Sequence, residues 1–334
     1  MAAGTGGAMS ARPTVTFVIP VRDDAARLAR CLASIRRNRY PASRIELIVV
    51  DNGSTDDSAL VARHAGARVL TMEPASVAEL RNAGAAEATG DLLAFVDADH
   101  VIDAGWIASA VEALGAHAIG AAGAPYRGPA DGTWVQRAYD GLRRRPAGRL
   151  DVDWLPSGNL VVRRAIFRLV HGFDARLVAC EDVDFCQRVR AAGYRVVDDP
   201  GLKSTHLGDP ASLAALFRGE LWRGRDNLRV SLRPGWRHQS WRALPGLAIP
   251  VVDLALLALA AGGLATASLA GGIVSLSAIA LFLGVASIRT SVMAARLRPM
   301  TAAAGLQAFA VALVYDAARA LALVVPATHA WRRR

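Results

Sequence analysis

The 334-residue chain has only three cysteines, and Lys203 is its one lysine. Cys31, Cys180 and Cys186 lack the spacing of zinc ligands and are too few for a disulfide framework, so we expect reduced thiols. The first residues, Met1–Arg12, lack the basic start and apolar run of a signal peptide, and we expect them to form a disordered tail. These absences exclude a disulfide-stabilised secreted domain.

Apolar residues and arginine are abundant instead. Hydrophobic residues make up 53% of the chain, and its net charge is +10. Residues 13–240 read as a globular domain, whereas residues 243–327 consist mainly of Ala, Leu, Val, Ile and Gly. Because no RNA-binding signature accompanies the basic charge and a hydrophobic tail does, we expect contact with anionic lipids and not with nucleic acid.

Apolar, β-branched runs alternate with helical patterns through the first hundred residues. The runs predicted as strands are 14–20, 45–50, 67–70 and 92–96. This alternation predicts an α/β fold with a mostly parallel sheet covered on both faces. Asp51 and Asp97–Asp99 directly follow two of the strands. Because ligands bind beyond the carboxyl ends of such strands, we expect these acids to meet in one cleft.

The second half of the domain is less regular. We read Trp134–Trp154 as loop-rich, Leu160–Val162 as a short strand and the segment from Glu181 as the start of a helix. Arginines and tryptophans then alternate over 216–242, which is typical of a membrane interface.

Three C-terminal stretches are long enough to span a bilayer, which takes about 20 apolar residues. They lie at about 244–265, 270–288 and 301–327. Asp316 and Arg319 interrupt the third, so these charges either pair one helical turn apart in a spanning helix or the segment lies at the interface. We expect three spans, and the positive-inside rule places the preceding domain in the cytoplasm.

Asp97-Ala98-Asp99 is the most specific chemical feature. Two carboxylates one residue apart after a buried strand can bind a hard divalent cation that also holds a diphosphate. Such a cation, Mn²⁺ or Mg²⁺, neutralises charge on a leaving nucleoside diphosphate. The alternative is a solvated pair that caps the helix around Trp106.

Five motifs stand in order: VIPVRDD at 18–24, VVDNGSTDDS at 49–58, RNAG at 81–84, FVDADH at 95–100 and ACEDVDFCQRV at 179–189. Together they resemble family 2 glycosyltransferases, inverting enzymes with the GT-A fold, over about residues 13–210. The resemblance implies a GT-A domain at 13–215, and the composition predicts an interfacial segment at 216–242 and a membrane region at 243–334.

The resemblance also implies roles on the donor side. Asp51 matches the acid that hydrogen-bonds the nucleotide base, and a carboxylate suits the imide of uracil or thymine; a UDP-sugar is favoured. Arg81 matches a donor-binding arginine, Pro20 and Val21 would shape the base pocket, and Trp154 belongs to the loop that cradles the sugar and acceptor.

On the acceptor side, Glu181-Asp182 matches the acidic pair that supplies the catalytic base. We assign the base to Asp182 and a supporting role to Glu181, while Asp184 is expected to be structural. His206 matches a downstream histidine that reaches the metal or diphosphate, and His100 is a weaker candidate.

Three departures from the family pattern limit these assignments. Val21-Arg22-Asp23 follows the first proline, where the family often has Tyr-Asn. The second acidic site is Asp51-Asn52, not Asp-Asp, which leaves the base preference open. No Gln-x-x-Arg-Trp motif follows Asp182, which favours transfer of a single sugar to a lipid-linked or membrane-proximal acceptor over processive synthesis. The alternative is a non-catalytic nucleotide-sugar-binding subunit; a nucleotidyltransferase and a transporter fit the sequence less well.

Overall fold

The computed structural model describes residues 12–232, 244–296 and 301–325. Most of the predicted tail, residues 233–242 of the predicted interfacial segment and Arg332–Arg334 therefore lie outside the described residues. The strands are β1 (Val15–Val21), β2 (Ile45–Asp51), β3 (Arg68–Thr71), β4 (Leu92–Val96), β5 (His100–Ile102), β6 (Ile119–Gly123), β7 (Leu150–Asp151), β8 (Asn159–Arg163), β9 (Arg195–Asp198) and β10 (Ser204–His206).

Helices separate most of these strands and continue beyond them. They are α1 (Ala25–Arg36), α2 (Ser58–His64), α3 (Val77–Glu87), α4 (Trp106–Gly115), α5 (Trp134–Arg143), α6 (Arg164–Leu169), α7 (Glu181–Ala191), α8 (Leu213–Arg223), α9 (Asn227–Ser231), α10 (Leu244–Ala265), α11 (Leu269–Arg296) and α12 (Ala302–Leu321).

Eight strands form one mixed, mostly parallel sheet in the order β3-β2-β1-β4-β8-β6-β9-β7. β8 and β7 run antiparallel to their neighbours, and the other pairs are parallel. The chain proceeds outward from β1 to β3 and then returns to the other side of β1 with β4. This reversal places a ligand crevice at the carboxyl ends of β1 and β4.

Both faces of the sheet are covered, which explains the continuous apolar strands. Every residue of β1 is buried, including Thr16, whose hydroxyl bonds to Glu46 and to the amide of Gly90. One apolar cluster packs between the sheet and α1 and α4, and a second packs on the opposite face. The predicted α/β fold with a mostly parallel sheet is confirmed, and the predicted strands match β1 to β4 within a residue or two.

The prediction of a loop-rich Trp134–Trp154 stretch is wrong for its first half, which forms α5. Thr133 and Gln136 make reciprocal hydrogen bonds between side chain and backbone at its start. This pattern was readable as Thr-x-x-Gln, and it satisfies amide groups that the helix end would leave unpaired.

A separate two-stranded ribbon lies beside the main sheet. β5 and β10 are antiparallel, and His100 faces His206 directly in their register. Directly opposite residues of an antiparallel pair project to the same face. The ribbon therefore brings together two histidines that are 106 positions apart in the sequence.

Three C-terminal helices are long and apolar enough to cross a membrane: Ala248–Ala265, Leu269–Arg296 and Ala302–Leu321. Asp316 does not pair with Arg319 on its own helix; it pairs with Arg289 of α11 at 2.6 Å. Arg319 lies 3.8 Å from Glu220 of α8. The predicted pairing of Asp316 with Arg319 within one helix is therefore wrong. Packing between helices brings each of the two residues close to an opposite charge on another helix.

Candidate active site

The ends of β1, β2 and β4 place the first predicted donor-side residues next to one another. Pro20 and Val21 are buried at the end of β1, and Val21 pairs in register with Asp51. Asp51 is itself buried, and its Oδ1 accepts the amide of Ser54 at 3.0 Å. Asp51 therefore shapes the turn after β2 with one carboxylate oxygen.

Arg81 joins two of the predicted carboxylates. Its Nη2 lies 2.6 Å from Asp97 Oδ1, and its Nη1 lies 2.9 Å from Glu181 Oε1. Only 2% of the Arg81 side chain is exposed, because α3 packs this face against the sheet. Arg81 is therefore a buried residue of α3. Its guanidinium fixes the distance between the end of β4 and the start of α7.

Glu181 and Asp182 are the first residues of α7, where the helix dipole favours carboxylates. Glu181 also accepts the hydroxyl of Ser157 at 3.0 Å. Burial, followed by the adjacent Glu181, raises the pKa of Asp182 to about 7. Asp184 instead bonds to Arg188 on the same helix at 2.7 Å, as expected for a structural residue.

The Ser157-Gly158-Asn159 loop braces this site. Gly158 accepts the Asp97 amide at 3.3 Å, and a Cβ on Gly158 would lie 2.4 Å from Asp97 Oδ2. The Asn159 amide group donates to the carbonyls of Ala124 and Leu202, which makes it a buried structural residue. Trp154, on the same connection, keeps 41% of its surface exposed.

Asp99 points in another direction from Asp97. Its Oδ2 lies 3.0 Å from His206 Nε2, and one donor atom from each of Asp99, His100 and His206 falls within a cluster 4.8 Å wide. His100 Nδ1 lies 3.1 Å from the Ser204 hydroxyl, and its buried Nε2 has no hydrogen-bond partner among the described residues. A carboxylate oxygen and two imidazole nitrogens form a donor set that suits a first-row divalent cation.

The two histidines of this cluster have opposite protonation tendencies. Burial and the neighbouring His206 lower the pKa of His100 to about 4, so its ring is neutral and available as a ligand. Burial disfavours a charged His206, but hydrogen bonds to Asp209 and Asp99 outweigh it and raise its pKa to about 9. Ligation by His206 would require displacement of that proton.

Sequence reasoning missed the residues that support His206. Asp209 accepts from His206 Nδ1 at 2.6 Å and from Arg143 Nη1 at 2.6 Å. The Arg143 guanidinium lies over the rings of Tyr126 and Tyr139. The His-x-x-Asp spacing was visible, but Arg143 and the tyrosines come from distant segments that show no such pattern.

Comparison with known proteins gives a consistent result. Residues 16–170 match the family described as glycosyl transferase family 2. An uncharacterised glycosyltransferase of Mycobacterium bovis is 30% identical over 212 residues, which cover 62% of this chain and 93% of the relative. Glycosyltransferase AglE of Haloferax volcanii is 28% identical over 233 residues, which cover 66% of this chain and 75% of that protein.

A pre-mycofactocin glycosyltransferase of Mycobacterium tuberculosis is 32% identical over 202 residues, covering 56% of this chain and 41% of that protein. The chain thus spans less than half the length of this relative. Among solved structures, a mannosyltransferase from Pyrobaculum calidifontis in complex with GDP-Man and Mn²⁺ superposes with a TM-score of 0.61 at 20% identity. The likeness covers 93% of this chain and 87% of that one, and it shows a shared GT-A fold.

Proposed function

The chain belongs to glycosyl transferase family 2, and we propose that it transfers one sugar, with inversion, from a nucleoside-diphosphate sugar to a membrane-proximal acceptor. The observation that carries this proposal is the contact of Arg81 with both Asp97 and Glu181. One guanidinium links the carboxylate that follows β4 to the acidic pair at the start of α7. A donor held beside Asp97 would therefore have the acidic pair of α7 next to its anomeric carbon.

Asp182 is the proposed general base. An inverting displacement needs a carboxylate that takes the proton from the acceptor hydroxyl as it attacks. A pKa of about 7 suits this task, since the group is partly ionised near neutral pH and still basic enough to accept a proton. Glu181 is held by Arg81 and Ser157, which leaves it the role of orienting the acceptor and supporting Asp182.

Asp99, His206 and His100 are the residues proposed to hold a divalent cation, with Asp97 adjacent. The unpartnered Nε2 of His100 and the mixed oxygen and nitrogen donors favour Mn²⁺ over Mg²⁺, which prefers oxygen ligands alone. When bound, such a cation would offset the negative charge of the leaving diphosphate. Asp97 lies against Arg81 and Gly158. We therefore propose that it contacts the nucleotide-sugar donor, in addition to its predicted role as a metal ligand.

The nucleotide base is proposed to lie against Pro20, Val21 and Asp51, and a UDP-sugar is the favoured donor. The turn uses one oxygen of Asp51, and base recognition would use the other. The sugar itself is proposed to lie near Trp154, whose exposed indole precedes the loop that braces Glu181.

A lipid-linked or membrane-proximal acceptor is supported by the position of the acidic pair. Asp226, just beyond α8, accepts the amides of Val178 and Ala179 at 2.8 and 3.1 Å, and Ala179 lies two residues before Glu181. Arg319 of the apolar helix α12 lies against Glu220 of α8. The proposed base is therefore close to the membrane region. The proposed location is the cytoplasmic membrane, with the domain of residues 13–215 in the cytoplasm and anionic lipids contacting residues 216–242.

Nucleotide binding to the detergent-solubilised chain tests the proposal. UDP, dTDP and GDP would each be titrated with and without Mn²⁺ or Mg²⁺, using the unsubstituted chain and Asp99→Ala. Metal-dependent binding of one nucleotide, lost in Asp99→Ala, is expected. If no nucleotide binds in a metal-dependent way, the metal assignment is wrong and the non-catalytic subunit becomes the better reading.

A further inference from the structure

Cys180, the residue directly before Glu181, has a backbone conformation that few side chains adopt. Its φ is 61° and its ψ is 20°, which places it in the left-handed region. Only a few per cent of residues other than glycine have positive φ, and such a conformation costs a factor of about ten to one hundred in population. The structure around Cys180 must therefore hold it there.

The start of α7 does not supply that hold. A residue that precedes a helix usually has an extended backbone and a short polar side chain that accepts a helical amide. Cys180 occupies this position without such a side-chain bond among the described residues, although its carbonyl accepts the amide of Asp184 at 3.1 Å. The local sequence therefore does not explain how α7 begins.

The turn between α8 and α9 makes three contacts with the segment that leads into α7. Oδ2 of Asp226 accepts the amides of Val178 at 2.8 Å and of Ala179 at 3.1 Å. The thiol of Cys180 donates to the carbonyl of Arg223 at 3.5 Å. Hydrogen bonds to a carboxylate are about twice as strong as those between neutral groups. Three successive residues are thus bound to one turn, and the two strongest bonds end on Asp226.

The turn that carries Asp226 is itself packed in place. Asp226 is 7% exposed, and its carbonyl accepts the amide of Val230 at 2.8 Å. On the other side of the turn, a Cβ on Gly224 would lie 2.5 Å from the Cβ of Ala322, which follows α12. The carboxylate is therefore presented to residues 178–179 from a fixed direction.

The backbone at Cys180 decides where the acidic pair of α7 lies. Oε1 of Glu181 lies 2.9 Å from Arg81 Nη1 and 3.0 Å from the hydroxyl of Ser157. Asp182 follows in the same first turn of the helix. A change of φ at Cys180 would rotate this turn as a unit, because hydrogen bonds make the helix rigid. Both contacts of Glu181 would then be broken, and Asp182 would move with them.

We propose that Asp226 is a positioning residue for the acidic pair of α7. Its carboxylate holds residues 178–179, and Cys180 thereby keeps the left-handed conformation from which α7 begins. Asp226 acts only through this segment. The inference deepens the proposed function and rests on the assignment of Asp182 as the general base. It also makes transfer depend on the C-terminal helices, since the turn that carries Asp226 packs against the end of α12.

Amide hydrogen exchange in the detergent-solubilised full-length chain tests the proposal without any substrate. In Asp226→Ala, the peptide covering 181–187 should exchange about ten-fold faster than in the unsubstituted chain, as the strained conformation is lost. Asp226→Asn keeps an oxygen that can accept both amides, so its exchange should stay close to that of the unsubstituted chain. Faster exchange confined to residues 178–179 would overturn the proposal.

Asp91→Ala is the matched control. One carboxylate oxygen of Asp91 accepts both the amide and the hydroxyl of Thr14, at 2.9 and 2.8 Å. These two residues lie at the amino ends of β4 and β1, on the edge of the sheet opposite the site. The substitution therefore removes a comparable pair of bonds, and exchange over 181–187 should not change.

Substitution of Cys180 tests the same idea from the other partner. Glycine adopts positive φ without a steric penalty, so Cys180→Gly added to Asp226→Ala should return most of the lost protection. Cys180→Val should reproduce the defect with Asp226 intact, because a β-branched residue tolerates positive φ least. This second variant decides the question even where Asp226→Ala does not fold. No recovery with glycine, or normal exchange with valine, would overturn the proposal.

The rate of UDP release measures the functional consequence. UDP-glucose, UDP-galactose and UDP-N-acetylglucosamine would each be supplied with Mn²⁺ and with water as the acceptor. Water attacks the anomeric carbon, UDP leaves and Asp182 takes the proton. Asp226→Ala should lower kcat about 100-fold and leave KM for the donor nearly unchanged, because a misplaced base slows the chemical step alone. Loss of folded protein would instead appear in thermal unfolding of the same sample.

The two levels of the argument fail in different ways. If Asp182→Asn releases UDP as fast as the unsubstituted chain, the proposed function is wrong. If Asp182→Asn is slow but Asp226→Ala behaves like Asp91→Ala in both exchange and kcat, only the positioning role of Asp226 is wrong.

Discussion

Arg81 of α3 and Glu181 of α7 form a buried ion pair of 2.9 Å between residues 100 positions apart in the chain. The second nitrogen of the same guanidinium holds Asp97 at 2.6 Å. A planar fork can bind two carboxylates at a defined separation, whereas an ammonium acts as a point charge. The relative position of the two halves of the site therefore depends on one side chain.

Arg81→Ala should weaken both stability and transfer. Removal of a buried partner leaves uncompensated carboxylates and costs about 3–5 kcal/mol; we expect the lower end, because 35% of the Asp97 side chain is exposed. Arg81→Lys should recover stability in part but not kcat/KM, since one ammonium cannot hold both acids in the same geometry. Chemical unfolding and steady-state rates measure the two effects. Full activity in Arg81→Lys would show that charge alone is required.

Asp182→Asn should lower kcat by about 10²–10⁴-fold, the usual contribution of a general base. In the unsubstituted enzyme the base must be deprotonated, so kcat/KM should rise with pH and level off above a pKa of about 7. A rate measured from pH 5.5 to 9 gives this profile. Asp184→Asn is the matched control on the same helix, and it should keep the profile.

The same group should influence stability in a definite direction. The pKa of Asp182 is raised in the folded state, so between about pH 4 and pH 7 the folded chain binds a proton that the unfolded chain has released. Its contribution to stability therefore falls as pH rises through this window. Asp182→Asn should unfold at a higher temperature than the unsubstituted chain at pH 8, but not at pH 4. An equal shift at both pH values would contradict the raised pKa.

Gly158→Ala should disable the donor side without unfolding the domain. The new Cβ would lie 2.4 Å from Asp97 Oδ2, so the carboxylate must move away from its position beside Arg81. A displacement of this size can cost roughly 100-fold in kcat/KM. Gly105→Ala is the control, because a Cβ there would meet no atom within 4 Å. Equal activity in both variants would show that Asp97 need not hold its position.

Arg289→Leu should destabilise the packing of the C-terminal helices. Arg289 lies 2.6 Å from the buried Asp316, and Asp253 of α10 is also buried. Loss of the arginine would leave the carboxylate of Asp316 unpaired, at a cost of about 3–5 kcal/mol. The double variant Arg289→Leu/Asp316→Leu should recover most of that loss, as judged by thermal unfolding in detergent. No recovery would mean that the two residues act independently.

Much of the fold and of the site was readable from the sequence. The α/β sheet and the cleft at its carboxyl edge were predicted from continuous apolar strands, helical periodicity and acids directly after strands. These features could be read because burial of a strand on both faces and its direction show in the residues of that strand and its immediate neighbours. The loop-rich reading of Trp134–Trp154 was wrong where a capping pattern was overlooked. The roles assigned to Asp182, Asp51 and Trp154 remain predictions.

The amino-acid sequence by itself determined the family, the strand-end acids and the three apolar stretches, since each depends on residues that are neighbours in the chain. Only the tertiary structure decided that Arg81 bridges Asp97 and Glu181, that His100 faces His206, and that Asp316 pairs with Arg289. These contacts join segments tens to more than a hundred residues apart. Their geometry follows from strand register and helix packing, which no local pattern encodes.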